Sequence, residues 1–345
     1  MAGGRRIGWA LVAVVLLWGP QPAPAAQTSD RIVYTTHVYG GRSATSEIFT
    51  VAPDGTAPSR LTRNRRFDLE PVWSPDRSLI AYVHHDEPRN PDVWVMAADG
   101  SDKRRLTRGP RDDEYPQWSP DGSRIAWLKT RGDSVQGEIR VMDADGSDKA
   151  RLVRYGTWPQ WSPDGTAIAF MHKRRCDFCS PDWEIRVVDV ATGEVERLTD
   201  NRVDDVDPVW SPDGETIAFT RTRDDGGDLF TMSSDGSAQD RLTSEAGYAF
   251  APDWSPDGSE IAFSLLVDWD DFDTQLAVVD VASKEVRRLT DPEAGGVSPD
   301  WSPDGGRIAF LTFFETRWEI AVIAPDGTGF TPVSDTEGDK YSLDW

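Results

Sequence analysis

The sequence has few of the residues from which metal and redox sites are built. Its 345 residues include only two cysteines, Cys176 and Cys179, and four histidines. A structural zinc site normally takes four ligands, and no second cysteine pair is present. In an exported chain, such a close pair more often forms a small loop-tightening disulfide. We therefore predict a Cys176–Cys179 disulfide, with a redox or zinc site as the alternative.

Positive charge is also scarce. The chain has 37 Lys and Arg against 59 Asp and Glu, a formal net charge of -22. Nucleic acids and anionic lipid surfaces are bound mainly by neutralising their phosphates, so this composition argues against both as partners. A protein or carbohydrate partner is compatible with it, in particular a basic one. Simple solubility is the alternative explanation of the charge.

An apolar run long enough to cross a membrane is missing near the N-terminus. The run from Ile7 to Trp18 falls short of the roughly 20 residues that a spanning helix needs. It follows Arg5 and Arg6 and precedes the small residues Ala23 to Ala26, an order typical of a secretory signal. Residues 1–26 are therefore predicted to be a signal peptide. The mature chain is then periplasmic, cell-envelope or secreted, without a stable membrane span, and a retained anchor is the alternative.

A repeat fills the rest of the chain. Trp-Ser-Pro-Asp recurs at Trp73, Trp118, Trp161, Trp210, Trp254 and Trp301, and Trp345 ends the chain in the same phase. Each of the six motifs is followed by an apolar triplet such as Ile80-Ala81-Tyr82, then by a strand-like alternation of polar and apolar residues. Asp-Gly and Arg-Leu-Thr-like segments complete most copies. Ser-Pro-Asp-Gly and Asp-Gly are turn sequences, because Pro presets φ and Gly adopts positive φ at no steric cost.

Four strands per repeat at this period are typical of a propeller blade. We therefore predict an all-β fold, a seven-bladed β-propeller of four-stranded antiparallel blades over residues 31–345. A C-terminal strand joins the N-terminal blade and closes the ring, so that blade 1 is split. The predicted blades are 341–345 plus 31–62, then about 71–107, 116–153, 159–199, 208–243, 252–290 and 299–334. Six or eight blades are the alternatives.

The repeat resembles the WD40-like (PD40) repeat of TolB-type propellers, whose pattern is P-x-W-S-P-D-G-x-x-I-A-F followed by V-M-D-x-D-G and R-L-T. The resemblance covers nearly the whole predicted mature chain. Because the first blade starts shortly after residue 26, we expect no counterpart of the α/β domain that precedes the TolB propeller. Similar blades occur in prolyl oligopeptidase-like peptidases and in oligogalacturonate lyase-like enzymes, so the resemblance implies the fold more than the function.

The two faces of the predicted propeller differ. Ser-Pro-Asp-Gly and Asp-Gly turns lie on one face, the turn face, and irregular loops lie on the other, the loop face. We expect function on the loop face, since loops held by a rigid scaffold usually carry it. Its acids include Asp68, Glu70, Asp112 to Glu114, Asp204, Asp205 and Asp207, and its out-of-phase aromatic residues include Trp158 and Trp269. Trp269 is a candidate partner contact because it stands in a run of acids.

Three aspartates are singled out by their phase. Asp253, Asp300 and Asp344 each precede a repeat Trp, in three blades that are consecutive through the split closure. We expect them to gather at the channel, in the mouth of the loop face. Carboxylates gathered in this way raise one another's pKa or recruit a cation. They are candidate ligands of a divalent cation or of a basic partner group, and mere solvation is the alternative.

Histidines His37, His84 and His172 are weaker candidates for a metal site, all in loops of the loop face. Such a site would need them to converge with a carboxylate. Exposed loop histidines are the alternative. No cofactor is identified with certainty.

No nucleophile elbow, P-loop or paired-histidine zinc motif is present. The sequence therefore favours a non-catalytic binding or scaffolding propeller outside the cytoplasm. The alternative is a polysaccharide-active enzyme, either lyase-like with a metal and the loop histidines or hydrolase-like with two carboxylates.

Cleavage of the signal peptide can be measured directly. We expect mass spectrometry of the exported protein to find its N-terminus at Ala26 or Gln27. Intact Met1 in a membrane fraction would show a retained anchor instead.

Overall fold

The computed structural model describes residues 30–40, 43–85, 90–132, 134–173, 182–223, 226–244, 247–268, 273–314, 317–334 and 338–345. These residues form β-strands and turns, with no α-helix among them. A search of the same residues finds no helix with the length and apolar character required to cross a membrane. The predicted signal peptide, the Cys176–Cys179 pair and Trp269 lie outside the described residues.

Twenty-seven strands make up the described chain. The first seven are β1 (Ile32–Gly40), β2 (Ser43–Val51), β3 (Ser59–Arg60), β4 (Phe67–Trp73), β5 (Leu79–His85), β6 (Asp92–Ala97) and β7 (Arg104–Arg105). The next seven are β8 (Asp112–Trp118), β9 (Arg124–Thr130), β10 (Gly137–Asp143), β11 (Ala150–Trp161), β12 (Ala167–Lys173), β13 (Trp183–Asp189) and β14 (Val195–Arg197). The remaining strands are β15 (Asp205–Trp210), β16 (Thr216–Arg223), β17 (Gly226–Ser233), β18 (Asp240–Arg241), β19 (Tyr248–Trp254), β20 (Glu260–Asp268), β21 (Asp273–Asp280), β22 (Val286–Arg288), β23 (Val297–Trp301), β24 (Ile308–Phe314), β25 (Arg317–Ile323), β26 (Thr331–Pro332) and β27 (Lys340–Asp344).

The strands pair in sequence as antiparallel meanders of four, consistent with seven blades. Blade 1 is β27, β1, β2 and β3, and blade 2 is β4 to β7. Blades 3 and 4 share β11, whose first part pairs with β10 and whose last part pairs with β12. Blades 5, 6 and 7 are β15 to β18, β19 to β22 and β23 to β26. The predicted all-β propeller fold is confirmed.

The shared strand β11 turns its corner at Gly156. A Cβ at this position would lie 2.7 Å from Ile139 Cδ1 and 2.8 Å from Phe170 Cδ2. Only glycine therefore lets the outer strand of blade 3 run directly into the inner strand of blade 4.

The core lies between neighbouring blades. In one cluster, Val95 and Leu106 of blade 2 pack against Trp118, Ile125 and Trp127 of blade 3. The first two residues of each of the six triplets, Ile and Ala, have no exposed surface. Every blade therefore buries its apolar face against the next one, so its stability depends on contacts with its neighbours.

The Ser-Pro-Asp turns explain why their serines recur. Ser119 Oγ donates a hydrogen bond to Asp121 Oδ1 at 2.6 Å and accepts one from the Arg124 backbone N–H at 2.9 Å. Gly122 closes the turn at a φ of 69°. In blade 2 the equivalent glycine is replaced by Arg77, which adopts a φ of 59°.

The C-terminal strand closes the ring. Strand β27 pairs antiparallel with β1, with Asp344 opposite Val33 and Leu343 opposite Tyr34. Trp345 is 5% exposed and lies in a cluster with Ile32, Tyr34 and residues of blade 7. Blade 1 is thus completed by the two ends of the described chain.

The burial of Trp345 where the ring closes predicts that removal of its indole strongly destabilises the protein. Trp345→Ala should lower the free energy of unfolding by about 3 to 5 kcal/mol, because it empties a buried aromatic site between blades 7 and 1. Trp158→Ala is the matched control, since Trp158 is 47% exposed. Chemical denaturation monitored by circular dichroism measures both. Equal losses in the two variants would show that the ring does not depend on this contact.

Candidate functional site

The innermost strand of each blade from 2 to 7 carries a β-bulge three residues before the repeat Trp. The register of pairing shifts there, for example between Leu69 and Val72 in blade 2 and between Glu114 and Gln117 in blade 3. The residue at the bulge has a positive φ although none of them is glycine: Glu70 (52°), Tyr115 (53°), Trp158 (52°), Asp207 (53°), Ala251 (49°) and Ser298 (54°). This conformation costs roughly 1 to 2 kcal/mol per residue, so the surrounding pairing must impose it.

The bulges place their side chains at the loop-face end of the channel. Glu70, Tyr115, Trp158 and Ser298 line one cavity of about 550 Å³, together with Ser342 at the equivalent position of blade 1. His37 and Tyr341 lie on the same wall, with ring centroids 4.3 Å apart. We call this cavity the channel mouth.

Two bulge carboxylates join neighbouring blades. Glu70 Oε2 accepts a hydrogen bond from the Tyr115 backbone N–H at 2.7 Å, and Asp207 Oδ2 accepts one from the Ala251 N–H at 3.3 Å. Burial raises the pKa of Glu70 to about 7, with a smaller contribution from the Glu114 charge. Burial likewise raises the pKa of Asp207.

A second cavity adjoins the channel mouth between blades 2, 3 and 4. It has a volume of about 620 Å³ and shares Glu70, Tyr115 and Trp158 with the mouth. Asp112, Glu114 and Thr130 also line this cavity, which we call the side pocket. The rings of Tyr115 and Trp158 are 4.6 Å apart at an interplanar angle of 42°. Trp158 is 47% exposed, so its ring is available to a ligand.

Asp253, Asp300 and Asp344 form inter-blade hydrogen bonds. The carboxylate of each accepts the backbone N–H of the repeat Trp in the next blade: Trp301, Trp345 and Trp73 respectively, all at 2.8 Å. Each of the three residues therefore fastens one innermost strand to the next, a structural role that the sequence analysis did not anticipate.

The three carboxylates are close enough to affect one another. Burial raises the pKa of Asp253 to about 7, and burial together with the charges of Asp344 and Asp253 raises the pKa of Asp300 well above its usual value. Burial also raises the pKa of Asp344, and Arg77 opposes this shift. Arg77 thus supplies part of the counter-charge that we expected from a bound cation or a partner.

The position of Asp344 differs from the expected one. It lines a cavity with Ser74, Pro75, Arg77 and Pro303, which belong to Ser-Pro-Asp turns. Asp344 therefore lies toward the turn face and not in the mouth of the loop face. The bulge residue of blade 1, Ser342, lines the channel mouth, whereas Asp344 does not.

The three candidate histidines are held by different neighbours. His37 Nδ1 is 2.7 Å from Ser46 Oγ, His84 Nδ1 is 2.6 Å from Asp68 Oδ1, and His172 Nδ1 is 2.8 Å from the Tyr155 carbonyl oxygen. Within the described residues no group of three His, Cys, Asp or Glu side chains could hold a metal ion. The structure therefore does not bring these histidines together as a metal site.

Comparison with known proteins gives the family. The model of the TolB β-propeller domain, PD40, matches residues 24–177 and 158–264. The chain belongs to the TolB β-propeller family. The resemblance of its repeats to TolB-type propellers is thereby confirmed. No curated protein sequence matches the chain.

Solved structures similar to this TolB-type propeller come from proteins of several kinds. TolB from Acinetobacter baumannii has a TM-score of 0.60 at 22% identity, over 92% of this chain and 67% of that one. An oligogalacturonate lyase in complex with manganese has a TM-score of 0.66 at 17% identity, over 89% of this chain and 86% of that one. The β-propeller domain of the Trilobed protease from Pyrococcus furiosus has a TM-score of 0.70 at 15% identity, over 89% and 93%. At these identities the similarity shows the fold alone.

Several acidic side chains on the loop face of this TolB-type propeller form ion pairs with basic side chains of the same blade. Asp113, which is fully buried, lies 2.8 Å from Lys129 Nζ and accepts a hydrogen bond from Trp127 Nε1 at 2.7 Å. The equivalent pairs are Asp68 with His84 and Asp205 with Arg221. The acid stands five residues before the repeat Trp and the base four residues after the repeat Ile. Comparing these two positions across the repeats would have identified the pairs from the sequence.

The side pocket was only partly visible in the sequence. Glu70, Glu114 and Trp158 belonged to broader groups of acids and aromatic residues, and Tyr115 and Thr130 were not considered. Tyr115 and Trp158 do share a phase, three residues before successive repeat tryptophans, and that coincidence was the available signal.

The three clamping aspartates predict a pH dependence of stability. Because burial raises the folded-state pKa of all three carboxyls, folding favours their protonated form, and stability falls as the pH rises from the unfolded-state pKa, about 4, through the folded-state pKa of Asp253, about 7. The variant Asp253→Asn/Asp300→Asn/Asp344→Asn keeps neutral acceptors for the Trp N–H groups. It should melt roughly 2 °C or more above the wild type at pH 8, a gap that narrows by pH 5.

The measurement is the melting temperature from pH 5 to 8, with the exposed Asp102→Asn as a control that should follow the wild type. A gap that does not change with pH would contradict the assignment of the raised pKa values to these carboxyls.

Proposed function

We propose that this TolB-type propeller is a non-catalytic binding or scaffolding protein, exported from the cytoplasm, which takes a protein or small ligand on the loop face. The observation that carries the proposal is the convergence of bulge side chains from blades 1, 2, 3, 4 and 7 on one cavity, the channel mouth. Cavities of this size, with aromatic walls and a few polar groups, are the usual form of a ligand site.

The side chains at the bulges support the same conclusion. The bulge recurs in every blade from 2 to 7, but in blades 2, 3 and 4 it carries the large side chains of Glu70, Tyr115 and Trp158, and these line the cavity. Fold stability alone gives no reason for an exposed Trp at such a position.

The groups that suggested catalysis have local roles. The recurring serines are bonded to the aspartates of their own turns, as in Ser74 with Asp76 at 2.6 Å. The histidines are bonded to separate neighbours, as described above. These contacts favour a binding role over a hydrolytic one.

One observation favours a polysaccharide-active enzyme as a second candidate. A carboxyl with a pKa of about 7, such as Glu70, would suit a general acid beside another carboxylate, here Glu114. Release of reducing ends or unsaturated uronates from polysaccharides by the wild type, abolished in Glu70→Gln, would favour this candidate.

Site-specific photo-crosslinking tests the binding proposal. Benzoylphenylalanine in place of Trp158 should form adducts in the native cell envelope, because that side chain is exposed at the channel mouth. The same probe in place of Phe330, which is 38% exposed and lies beside an Asp-Gly turn, is the matched control. Adducts that form from position 330 and not from position 158 would place the partner on the other face.

A further inference from the structure

We propose that the side pocket binds an organic cation, a protonated amine with N–H donors, supplied either as a free polyamine or as lysine side chains of a partner. This inference rests on the proposed function, since it names the ligand class of a cavity that adjoins the channel mouth. It is carried by the charge of the pocket, by an unsatisfied buried hydroxyl and by an exposed indole.

The side pocket is rich in acidic groups. Its described lining contains the carboxyl groups of Glu70, Asp112 and Glu114, with the imidazole of His85 as the one basic side chain. Two nearby basic side chains are engaged elsewhere, Lys129 with Asp113 at 2.8 Å and Arg111 with Glu138 at 3.1 Å.

Glu114 is the acidic group of the side pocket with the fewest contacts. Its half-buried carboxylate has no hydrogen-bond or ion-pair partner among the described residues. Burial, then the charges of Asp112 and Asp113, raise its pKa. An added positive charge would relieve this repulsion.

Thr130 provides an independent sign of a missing ligand. Its side chain is 4% exposed and lines the pocket, and its Oγ1 has no hydrogen-bond partner in the described part of the chain. An unsatisfied buried hydroxyl costs about 1 to 3 kcal/mol, so such groups normally have a partner. A ligand N–H would satisfy this oxygen.

The hydrogen-bonding character of the pocket selects a donor. Ionised carboxylates only accept, and the amide of Asn90, one of the donors in the wall, already donates to Asp112. Sugar hydroxyls could also donate to these carboxylates, but an ammonium group donates and at the same time offsets their negative charge. The exposed ring of Trp158 adds a surface that attracts cations.

The size of the pocket favours an organic ion over a bare metal ion. Its volume of about 620 Å³ lies within the range of small-molecule sites, roughly 300 to 1,000 Å³. The described carboxylates also form no group that could hold a metal ion.

Isothermal titration calorimetry at low salt, about 50 mM, tests the proposal with three probes. Spermidine represents the free polyamine, a trilysine peptide amide represents the partner side chain, and triacetylspermidine is the neutral analogue. We expect one or both amines to bind and the neutral analogue not to bind. The tighter of the two amines identifies the source of the cation.

Two glutamate variants with the same change of charge separate a site from general attraction to an acidic protein. Glu114→Gln should weaken amine binding about tenfold, since it removes a charged partner of the ligand. Glu215→Gln, exposed in a Ser-Pro-Asp-Gly turn on the other face, should leave it unchanged.

Two results would overturn the cation site: equal weakening in both variants, or equal binding of triacetylspermidine. Absence of binding by both amines, with crosslinking at position 158 intact, would overturn the ligand class and leave the proposed function standing. Amine binding lost in Glu114→Gln, without any crosslink at position 158, would support the pocket while contradicting the partner-binding function.

Discussion

The contact between successive innermost strands is the constraint on which the rest of this structure depends. Its usual form is a hydrogen bond from an indole N–H to a backbone carbonyl of the preceding blade, as from Trp118 Nε1 to the Val72 oxygen at 3.3 Å and from Trp161 Nε1 to the Gln117 oxygen at 3.2 Å. Where Asp precedes the repeat Trp, the contact changes. The carboxylate then accepts the backbone N–H of the next Trp. Of these three tryptophans, Trp73 keeps an indole hydrogen bond, to the Arg31 carbonyl oxygen, whereas the indole nitrogens of Trp301 and Trp345 have no partner among the described residues; that of Trp210, outside the clamps, has none either.

This change of contact falls where the ring closes. The aspartate clamps join blade 6 to blade 7, blade 7 to blade 1 and blade 1 to blade 2. Three inter-blade hydrogen bonds to carboxylates therefore surround the split blade, which has no covalent link between its inner strand and the strand beside it. These side-chain clamps reinforce the junction that the chain cannot make by continuity.

The repeat predicts the parts of the fold that depend on local sequence. The roles of Ser119 and Gly122 follow from turn geometry, and the burial of the Ile-Ala pair follows from strand alternation. The bulge could not be predicted in this way. Glu70, Tyr115, Trp158 and Ala251 have no side-chain property in common, and their positive φ is imposed by strand pairing.

The side chains of the channel mouth depend on that bulge, so the sequence alone could not place them. By sequence position, Asp344 and Glu70 belong to one acidic surface. With the bulge, Asp344 lies toward the turns and Glu70 faces the loop side. Ion pairs such as Asp205 with Arg221 could not be predicted from one repeat alone either, because they form only when two strands of one blade are paired.

Strand β11 has a consequence for how the ring comes apart. In most blades a loop separates the outer strand from the next inner strand, so that either can detach while the other stays paired. Blades 3 and 4 have no such loop, because one strand runs from Ala150 to Trp161 and bends at Gly156. Loss of pairing between β11 and β10 in blade 3 would disturb the pairing of the same strand with β12 in blade 4. We therefore expect these two blades to open together as one cooperative unit. Trp158, in the wall of the side pocket, lies on this strand. This wall of the pocket should therefore open only when blades 3 and 4 open together.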